Sequence, residues 1–472
     1  MAVPTRSRLT FQAAIALALA GGILLGLSLV LGLNGDVQYV IGVQDVRGGG
    51  IGGAIGTFAH RPVGYRVFLG LIDDAMRLIG LRPSVQVAYE VVIRLVGVAL
   101  AVVAAWSLAR GLRGRLGRLA EAWTSIAVGL ALAFAPNWDF LQPEWVATLF
   151  AVLAIGTALS LPRLAVAGGL CGGLLVAAVA AKVSTAPIAL LGLLVIAVLD
   201  RRRAVAGGIG TVAWLLVALA VLAAFPLERQ WLGDMISLNP NSVLRSGITV
   251  DRLVDVARSI ASKAALSPAV QLLPAASTIV GRSLTRGPKR LAWAAFIALA
   301  TLLTAAPMLS QGETYLYQLA ALPVLAAGIC GYAAGRWADR GMLPVAIPIP
   351  LAVAATLGAG LMITPKDWRL ANLDALVLLV LGAAAILAIL AVRFRSMPAT
   401  TRGLSDAREP RVPAYGPQAI GLVVAASIAI LPIVLPATAW SLNPRVSSWG
   451  NASWEAESRF DQRDLGTLSV TI

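Results

Sequence analysis

Apolar runs close to 20 residues long recur along most of this chain, and this repetition restricts its fold more than any other feature. A transmembrane α-helix needs about 20 apolar residues to cross the hydrocarbon core of a bilayer. Of the 472 residues, 58% are hydrophobic and only 13% are charged, whereas soluble domains carry about 25% charged residues. The sequence therefore predicts an all-α polytopic membrane protein.

About thirteen crossings are predicted. The first run, 11–33, is too long for a signal-peptide core and lacks a small-residue cleavage site, so we expect it to be retained. The other runs lie at 87–109, 122–136, 144–160, 164–181, 186–200, 204–225, 266–281, 291–309, 316–333, 343–363, 374–393 and 417–438. The transmembrane module is thus predicted to cover residues 1–438, followed by a short tail, 439–472.

Arginines mark every second connection between these runs. With a cytoplasmic N-terminus, the inner connections contain Arg110, Arg113, Arg115, Arg118, Arg163, Arg201, Arg202, Arg203, Arg282, Arg286, Arg290, Arg336, Arg340, Arg393, Arg395, Arg402, Arg408 and Arg411. Cytoplasmic loops carry an excess of basic residues, so we predict a multi-pass protein of a bacterial cytoplasmic membrane with its C-terminus outside. The net charge of +15 is explained in this way, and no nucleic-acid partner is expected.

The outer connections are long and the inner ones are short. The longest outer loops are predicted at 34–86 and 226–265, which places the working surface outside, because loops on a rigid scaffold carry function. The first loop contains two helical patterns, and the second predicts an amphipathic helix at the membrane surface. Its apolar stripe would comprise Phe68, Leu71, Ile72, Met76 and Ile79, with Arg66, Asp73 and Asp74 off the stripe. The glycine-rich segment between the helices fits either close backbone approach to a ligand or a plain linker.

The first outer loop resembles that of the GT-C superfamily, the membrane glycosyltransferases that use polyprenyl-phosphate sugars, including protein mannosyltransferase-like and arabinosyltransferase-like enzymes. The matching residues are Asp36, Tyr39, His60, Arg61, Pro62, Gly64 and Tyr65. The segments 137–156, 167–203 and 312–328 resemble later outer turns of the family, in the same order. The chain departs from the family in having one acidic residue, Asp36, where two adjacent ones are common, and we expect no large outer C-terminal domain such as many members carry.

The resemblance implies an inverting transfer of a sugar from a polyprenyl-phosphate donor to an acceptor glycan, lipid or protein. An attacking hydroxyl needs a base, and Asp36 is the predicted one. Growing negative charge on the phosphate needs cations, for which we predict Lys182, Arg61 and Arg66. The residues predicted to bind sugar or acceptor are Asp45, Asp139, Glu144, Tyr39, His60 and Tyr315.

Each of these residues also has a plainer interpretation. Asp36 fits a solvated loop charge, Glu144 fits an acid stabilised by a helix N-terminus, and Lys182 fits a lysine snorkelling to the interface. Tyr315 and Tyr317 fit stacking on a sugar, and both also fit the aromatic belt of a membrane protein. Lys182 is nevertheless unusual, because a lysine at the outer boundary departs from the positive-inside pattern and suggests an anionic partner.

No cofactor beyond the lipid-linked donor is predicted, and no dedicated metal site. A divalent cation shared by Asp36, Asp139 and Glu144 through oxygen ligation is an alternative that the spacing allows without requiring it. Two other function classes compete with glycosyl transfer. One is a transporter or flippase of lipid-linked sugars, for which internal repeats and midspan charges would be expected. The other is a ligase or polymerase of lipid-linked glycans, for which the single histidine gives little support.

Overall fold

The computed structural model describes residues 33–338 except 57–60, 84–85, 137, 227, 231, 234–241, 285–286 and 313, together with the single residues 372, 375, 378 and 382. The predicted crossings 11–33, 343–363, 374–393 and 417–438 lie wholly or almost wholly outside the described residues. The tail 439–472 and His60 also lie outside them.

In the described part of the chain, helices and the turns between them account for all of the structure. The first outer loop forms α1 (Gly35–Val46), α2 (Gly50–Gly56) and α3 (Val63–Leu78). The rest comprises α4 (Gln86–Leu112), α5 (Arg118–Ala133), α6 (Pro143–Ser160), α7 (Leu164–Ala181), α8 (Ala186–Leu199), α9 (Arg201–Ala224), α10 (Val243–Ser246), α11 (Val250–Leu266), α12 (Pro268–Ser283), α13 (Gly287–Gln311) and α14 (Ala321–Ala338), with 3-10 turns η1 (Val183–Thr185) and η2 (Leu316–Leu319).

Helices occupy all nine predicted crossings between residues 87 and 333. Among the described residues, six helical segments are long and apolar enough to cross a membrane, which is consistent with the predicted polytopic class. They are Val87–Leu112, Pro143–Ser160, Leu164–Ala181, Arg201–Ala224, Gly287–Gln311 and Leu316–Arg336. The pair α11 and α12, bent by 95°, would be a seventh if it is one broken span. The total of thirteen and the orientation stay predictions.

Helix α6 forms the centre of the bundle. Most of its residues are buried, and Trp145 is the largest fully buried side chain among the described residues. It packs against α4, α7 and α8, while α14 packs along α5. The N-termini of α4, α6 and α14 and the C-termini of α5, α7 and α13 lie at the end of the bundle predicted to face outside. We call this end the outer end.

The glycine-rich segment of the first outer loop is a packed structure. Gly48, Gly49 and Gly50 have positive φ angles of 92°, 73° and 60°, a conformation that glycine adopts without strain. A Cβ on Gly53 would lie 2.4 Å from the backbone oxygen of Gln44, so α2 sits directly on α1. Side chains from α3 then hold the start of α2, because Asp73 Oδ2 accepts from the Gly50 amide at 2.7 Å. These glycines serve close packing within the loop, so the described part of the segment is not a plain linker, and a close approach to a ligand stays a prediction.

The protein itself buries the predicted apolar stripe of α3 only in part. The helix buries Arg66 and Asp73, whereas Leu71 and Ile79 are exposed. Arg66 and Asp73 tolerate burial because each has several hydrogen-bonding partners. Charge alone predicts that both side chains face the solvent, but their hydrogen bonds to other parts of the protein allow them to be buried.

Small residues bring α7 and α9 into close contact. A Cβ on Gly172 would lie 2.1 Å from the carbonyl carbon of Gly210, and one on Gly210 would lie 2.1 Å from the oxygen of Gly168. Close approach of this kind is a recurrent way of joining helices in membranes. Gly169 and Gly208 lie on the same two helices, and a Cβ added to either would have no neighbouring atom within 4 Å.

We expect Gly172→Ala and Gly210→Ala each to destabilise the protein by about 1–3 kcal/mol, because the added methyl group forces the helices apart. Gly169→Ala and Gly208→Ala are matched controls, and they should be neutral or slightly stabilising through helix propensity. Thermal unfolding of the detergent-solubilised variants measures the difference. Equal shifts in all four variants would show that α7 and α9 do not pack through these glycines.

Candidate functional site

Asp36 lies in the first turn of α1 and is held from two directions. Its amide donates to Oδ1 of the N-cap residue Asn34 at 2.9 Å. Its Oδ2 lies 3.1 Å from Nη2 of Arg61 and 3.4 Å from Nε2 of Gln142. The Asp36 side chain is still 43% exposed. The carboxylate is thus fixed in direction and open to an incoming molecule.

Arg61 lies immediately before Pro62, the N-cap of α3. Its side chain is 22% exposed. Burial disfavours the charge of the guanidinium, but Asp36, with smaller contributions from Tyr317, Tyr65 and Glu144, raises its pKa above the usual range. Arg61 therefore supplies a permanent positive charge beside Asp36.

A second ion pair lies close to the first. Glu144 follows Pro143 in the first turn of α6 and is fully buried. Its Oε1 lies 2.8 Å from Nζ of Lys182, which ends α7. The ammonium group also lies over the ring of Tyr317, 5.3 Å from its centroid. The structure thus joins Glu144 and Lys182, to which the sequence assigns separate roles.

The turn from Trp138 to Gln142 connects these pairs, and we call it the 138–142 turn. Leu141 has a φ angle of 63°, which is uncommon for a residue other than glycine. The hydroxyl of Tyr65 donates to the Leu141 oxygen at 2.8 Å. The ring of Phe140 lies beneath the guanidinium of Arg94, 4.7 Å away. Contacts from α3 and α4 therefore hold the turn in an otherwise unfavourable conformation.

A third ion pair buries Asp139 against Lys263 of α11, with both side chains only 2% exposed. Nζ of Lys263 also donates to the Leu316 oxygen at 3.1 Å. Burial raises the pKa of the Asp139 carboxyl, and the ammonium of Lys263 opposes that shift. This pair links the 138–142 turn to η2, the turn that carries Tyr317.

Three buried oxygens in this region have no hydrogen-bond donor among the described residues. They are Oδ1 of Asp139, Oε1 of Gln142 and Oε2 of Glu144. A buried acceptor without a partner costs about 1–3 kcal/mol. All three atoms are acceptors, so a ligand that satisfied them would have to present hydroxyl or amine hydrogens.

Arg66 is placed where it cannot serve the predicted role. It is fully buried, and its guanidinium donates to the Arg61 oxygen at 2.9 Å and the Ala54 oxygen at 2.5 Å, and pairs with Glu228. These protein acceptors leave it no face for a phosphate. The assignment of Arg66 to the donor phosphate is therefore corrected to a structural role within the outer loops.

The other residues predicted to bind sugar or acceptor differ in how close they lie to this region. Asp45 pairs with Arg77 on α3 and takes part in the packing of the first loop. The hydroxyl of Tyr39 is buried and has no hydrogen-bond partner among the described residues. Tyr315 is 52% exposed and stacks on Tyr317, with ring centroids 5.4 Å apart. The structure thus brings Asp36, Arg61, Asp139, Glu144 and Lys182 to one region, and Tyr315 to its edge.

Two residues of this region were not predicted from the sequence: Gln142 and Lys263. Lys263 carried the same signal as Lys182, because it is a lysine in a segment predicted to lie outside. Gln142 had no signal of its own, since only the fold brings it to Asp36.

Each carboxylate of the region has a basic partner. Within the described residues, no group of three or more His, Cys, Asp and Glu side chains could hold a metal ion. Asp36, Asp139 and Glu144 are instead paired with Arg61, Lys263 and Lys182.

Comparison of the chain with protein-family models, curated proteins and solved structures finds no match. The contacts described above are therefore the observations that bear on function.

We expect Lys182→Met to destabilise the protein by about 3–5 kcal/mol, because it leaves the charge of Glu144 buried without a partner. The double variant Glu144→Gln with Lys182→Met should recover most of the loss. Thermal unfolding in detergent measures both. Arg258→Met is the control, since Arg258 forms an exposed pair with Asp255 at 3.8 Å, and such pairs contribute about 1 kcal/mol or less. A Lys182 variant as stable as the control would contradict the ion pair.

Proposed function

We propose that this protein transfers a sugar from a polyprenyl-phosphate donor to a hydroxyl acceptor at the outer face of a cytoplasmic membrane. The observation that carries the proposal is the half-exposed carboxylate of Asp36 beside the cationic group of Arg61, with the Glu144–Lys182 pair close by. This combination supplies a base and positive charge in one place. The sequence resemblance to GT-C glycosyltransferases supports the same function.

Asp36 is the proposed general base. The acceptor hydroxyl attacks the anomeric carbon of the sugar, and its proton passes to the Asp36 carboxylate. The bond between the anomeric carbon and the phosphate oxygen breaks, and the polyprenyl phosphate leaves with the electron pair. Attack from the side opposite the leaving group gives inversion. Exposure of the Asp36 carboxylate suits this role, since a base must reach the proton that it removes.

Arg61 and Lys182 are the proposed partners of the phosphate. Negative charge grows on the leaving oxygen as the bond breaks, and fixed cations stabilise that charge most where water is excluded. Both side chains are mostly buried, at 22% and 16% exposed. Each already has a carboxylate partner, so neither charge is left bare when no donor is bound.

The sugar is proposed to lie against the 138–142 turn. The unpaired oxygens of Asp139, Gln142 and Glu144 require hydrogen-bond donors, and a sugar ring presents several hydroxyl groups. A phosphate or a lipid tail cannot satisfy them, because neither donates a hydrogen bond at neutral pH. Asp139 and Glu144 keep the sugar-binding role predicted from the sequence, and Gln142 joins them.

The expected effect of Asp36→Asn is a fall in transfer of about 10²–10⁴-fold, the contribution of a positioned base. The assay measures transfer by purified protein from a panel of radiolabelled polyprenyl-phosphate sugars. Asp251→Asn is the control, because Asp251 lies exposed in the first turn of α11. Equal transfer by the wild type and Asp36→Asn would remove Asp36 as the base. Absence of transfer from every donor would favour a transporter of lipid-linked sugars.

Arg61→Gln should weaken the binding of polyprenyl phosphate about tenfold to hundredfold, as expected for the loss of one charge-assisted hydrogen bond. Equilibrium binding of a fluorescent short-chain polyprenyl phosphate to detergent-solubilised protein gives the dissociation constant. Arg47→Gln is a matched control, because Arg47 is exposed at the C-terminus of α1. If both variants bind as tightly as the wild type, Arg61 does not contact the phosphate.

A further inference from the structure

Lys263 is the most deeply buried lysine among the described residues. It is only 2% exposed, and its partner Asp139 lies 124 residues away in sequence. Lys263 lies one turn before the break between α11 and α12, where the chain bends by 95°. An ammonium group is rarely buried to this extent unless it is paired.

The same ammonium group contacts two separate parts of the candidate site. One contact is the Asp139 carboxylate in the 138–142 turn, whose Gln142 donates to Asp36 at 3.4 Å. The other is the Leu316 oxygen at 3.1 Å, at the start of η2. The next residue of η2 is Tyr317, over whose ring Lys182 lies. One side chain therefore bridges the turn beside the proposed base and the turn beside the proposed phosphate ligand.

Stability alone is a poor explanation for such a pair. The desolvation of two charges offsets most of their attraction, and replacing a buried ion pair by apolar residues is often neutral or stabilising. The bond to Leu316 gives Lys263 a second partner, which a simple ion pair would not need. A geometric role explains both partners together.

We propose that Lys263 is a positioning residue, which holds the 138–142 turn and η2 at a fixed separation and thereby places Lys182 and Tyr317 relative to Asp36. The ammonium group of Lys263 donates to Asp139 and to the Leu316 oxygen, and Lys263 is not a proposed ligand of the donor. The effect on transfer rests on the proposed function, whereas the effect on Lys182 does not.

The test removes both charges of the pair at once. A single variant would leave one charge buried without a partner and could simply fail to fold, so the informative protein is Asp139→Asn with Lys263→Met. Its matched control is Asp255→Asn with Arg258→Met, which removes an exposed pair from the same helix. We expect both proteins to unfold within a few degrees of the wild type. The conservative variant Lys263→Arg keeps the charge and should retain most of the wild-type behaviour.

Lysine reactivity reports the position of Lys182 directly. The chain contains four lysines, Lys182, Lys263, Lys289 and Lys366, and Lys289 is exposed. Acetylation of the folded protein by a small amine reagent, followed by mass spectrometry, gives the rate at Lys182 relative to Lys289. We expect the ratio to rise about tenfold in the Asp139/Lys263 variant, the scale set by loss of a partly buried cation–π contact. It should stay unchanged in the Asp255/Arg258 control.

The transfer assay gives the second readout. A displacement of about 1 Å at a reaction centre can cost about 10²-fold, and we expect kcat/KM for the donor to fall by that factor in the folded Asp139/Lys263 variant. The reference for this comparison is Asp139→Asn with Lys263→Gln, which carries the same change at the proposed sugar contact and keeps a hydrogen-bond donor at position 263. Unchanged reactivity of Lys182 in that variant would overturn the proposal, and so would a more reactive Lys182 with unchanged transfer. If the wild type transfers from no donor, the proposed function fails while the lysine measurement still decides the role of Lys263.

Discussion

Charges buried at the end of an apolar bundle must be paired, and the described outer end is organised around this requirement. Asp36 with Arg61, Glu144 with Lys182 and Asp139 with Lys263 each join residues distant in sequence. In the two buried pairs, Glu144 with Lys182 and Asp139 with Lys263, an unpaired charge would cost several kcal/mol. The pairs therefore fix where α1, α6, α7 and α11 meet, and so they determine the shape of the region proposed to bind the donor.

The 138–142 turn is the part of the chain to which these constraints converge. It receives hydrogen bonds from Tyr65 and Lys263, and it gives one to Asp36 through Gln142. The ring of Phe140, in this turn, packs against Gly97, and a Cβ added to Gly97 would lie 2.5 Å from the ring. The positive φ angle of Leu141 persists because surrounding contacts determine the conformation of the turn. A short loop thus gains the rigidity that a binding site requires.

The helices could be predicted from the sequence, but the pairings between them could not. Runs such as 164–181 coincide with a helix in the structure, because apolar length and helical propensity are local properties. The partner of a charge depends on distant packing, and this is why Arg66 was assigned to a ligand although Glu228 holds it. Lys182 could be singled out, because a lysine on the outer side is unusual wherever its partner lies. The same rule applied to Lys263 would have identified it as well.

The two ends of the bundle treat their polar groups differently. At the opposite end, Asp200 pairs with Arg115 at 3.2 Å and Arg203 at 3.4 Å, and both arginines also donate to backbone oxygens. Contacts of this kind are a common way to satisfy the free backbone carbonyl groups at helix ends. Among the described residues, the buried carboxylate and amide oxygens that lack a donor all lie at the outer end, on Gln44, Asp139, Gln142, Glu144 and Gln318. Buried acceptors are normally satisfied, so their concentration at one end marks the place where a ligand rich in hydroxyl groups would be bound most favourably. This asymmetry comes from the described structure alone, and it selects the same end of the molecule as the loop lengths in the sequence.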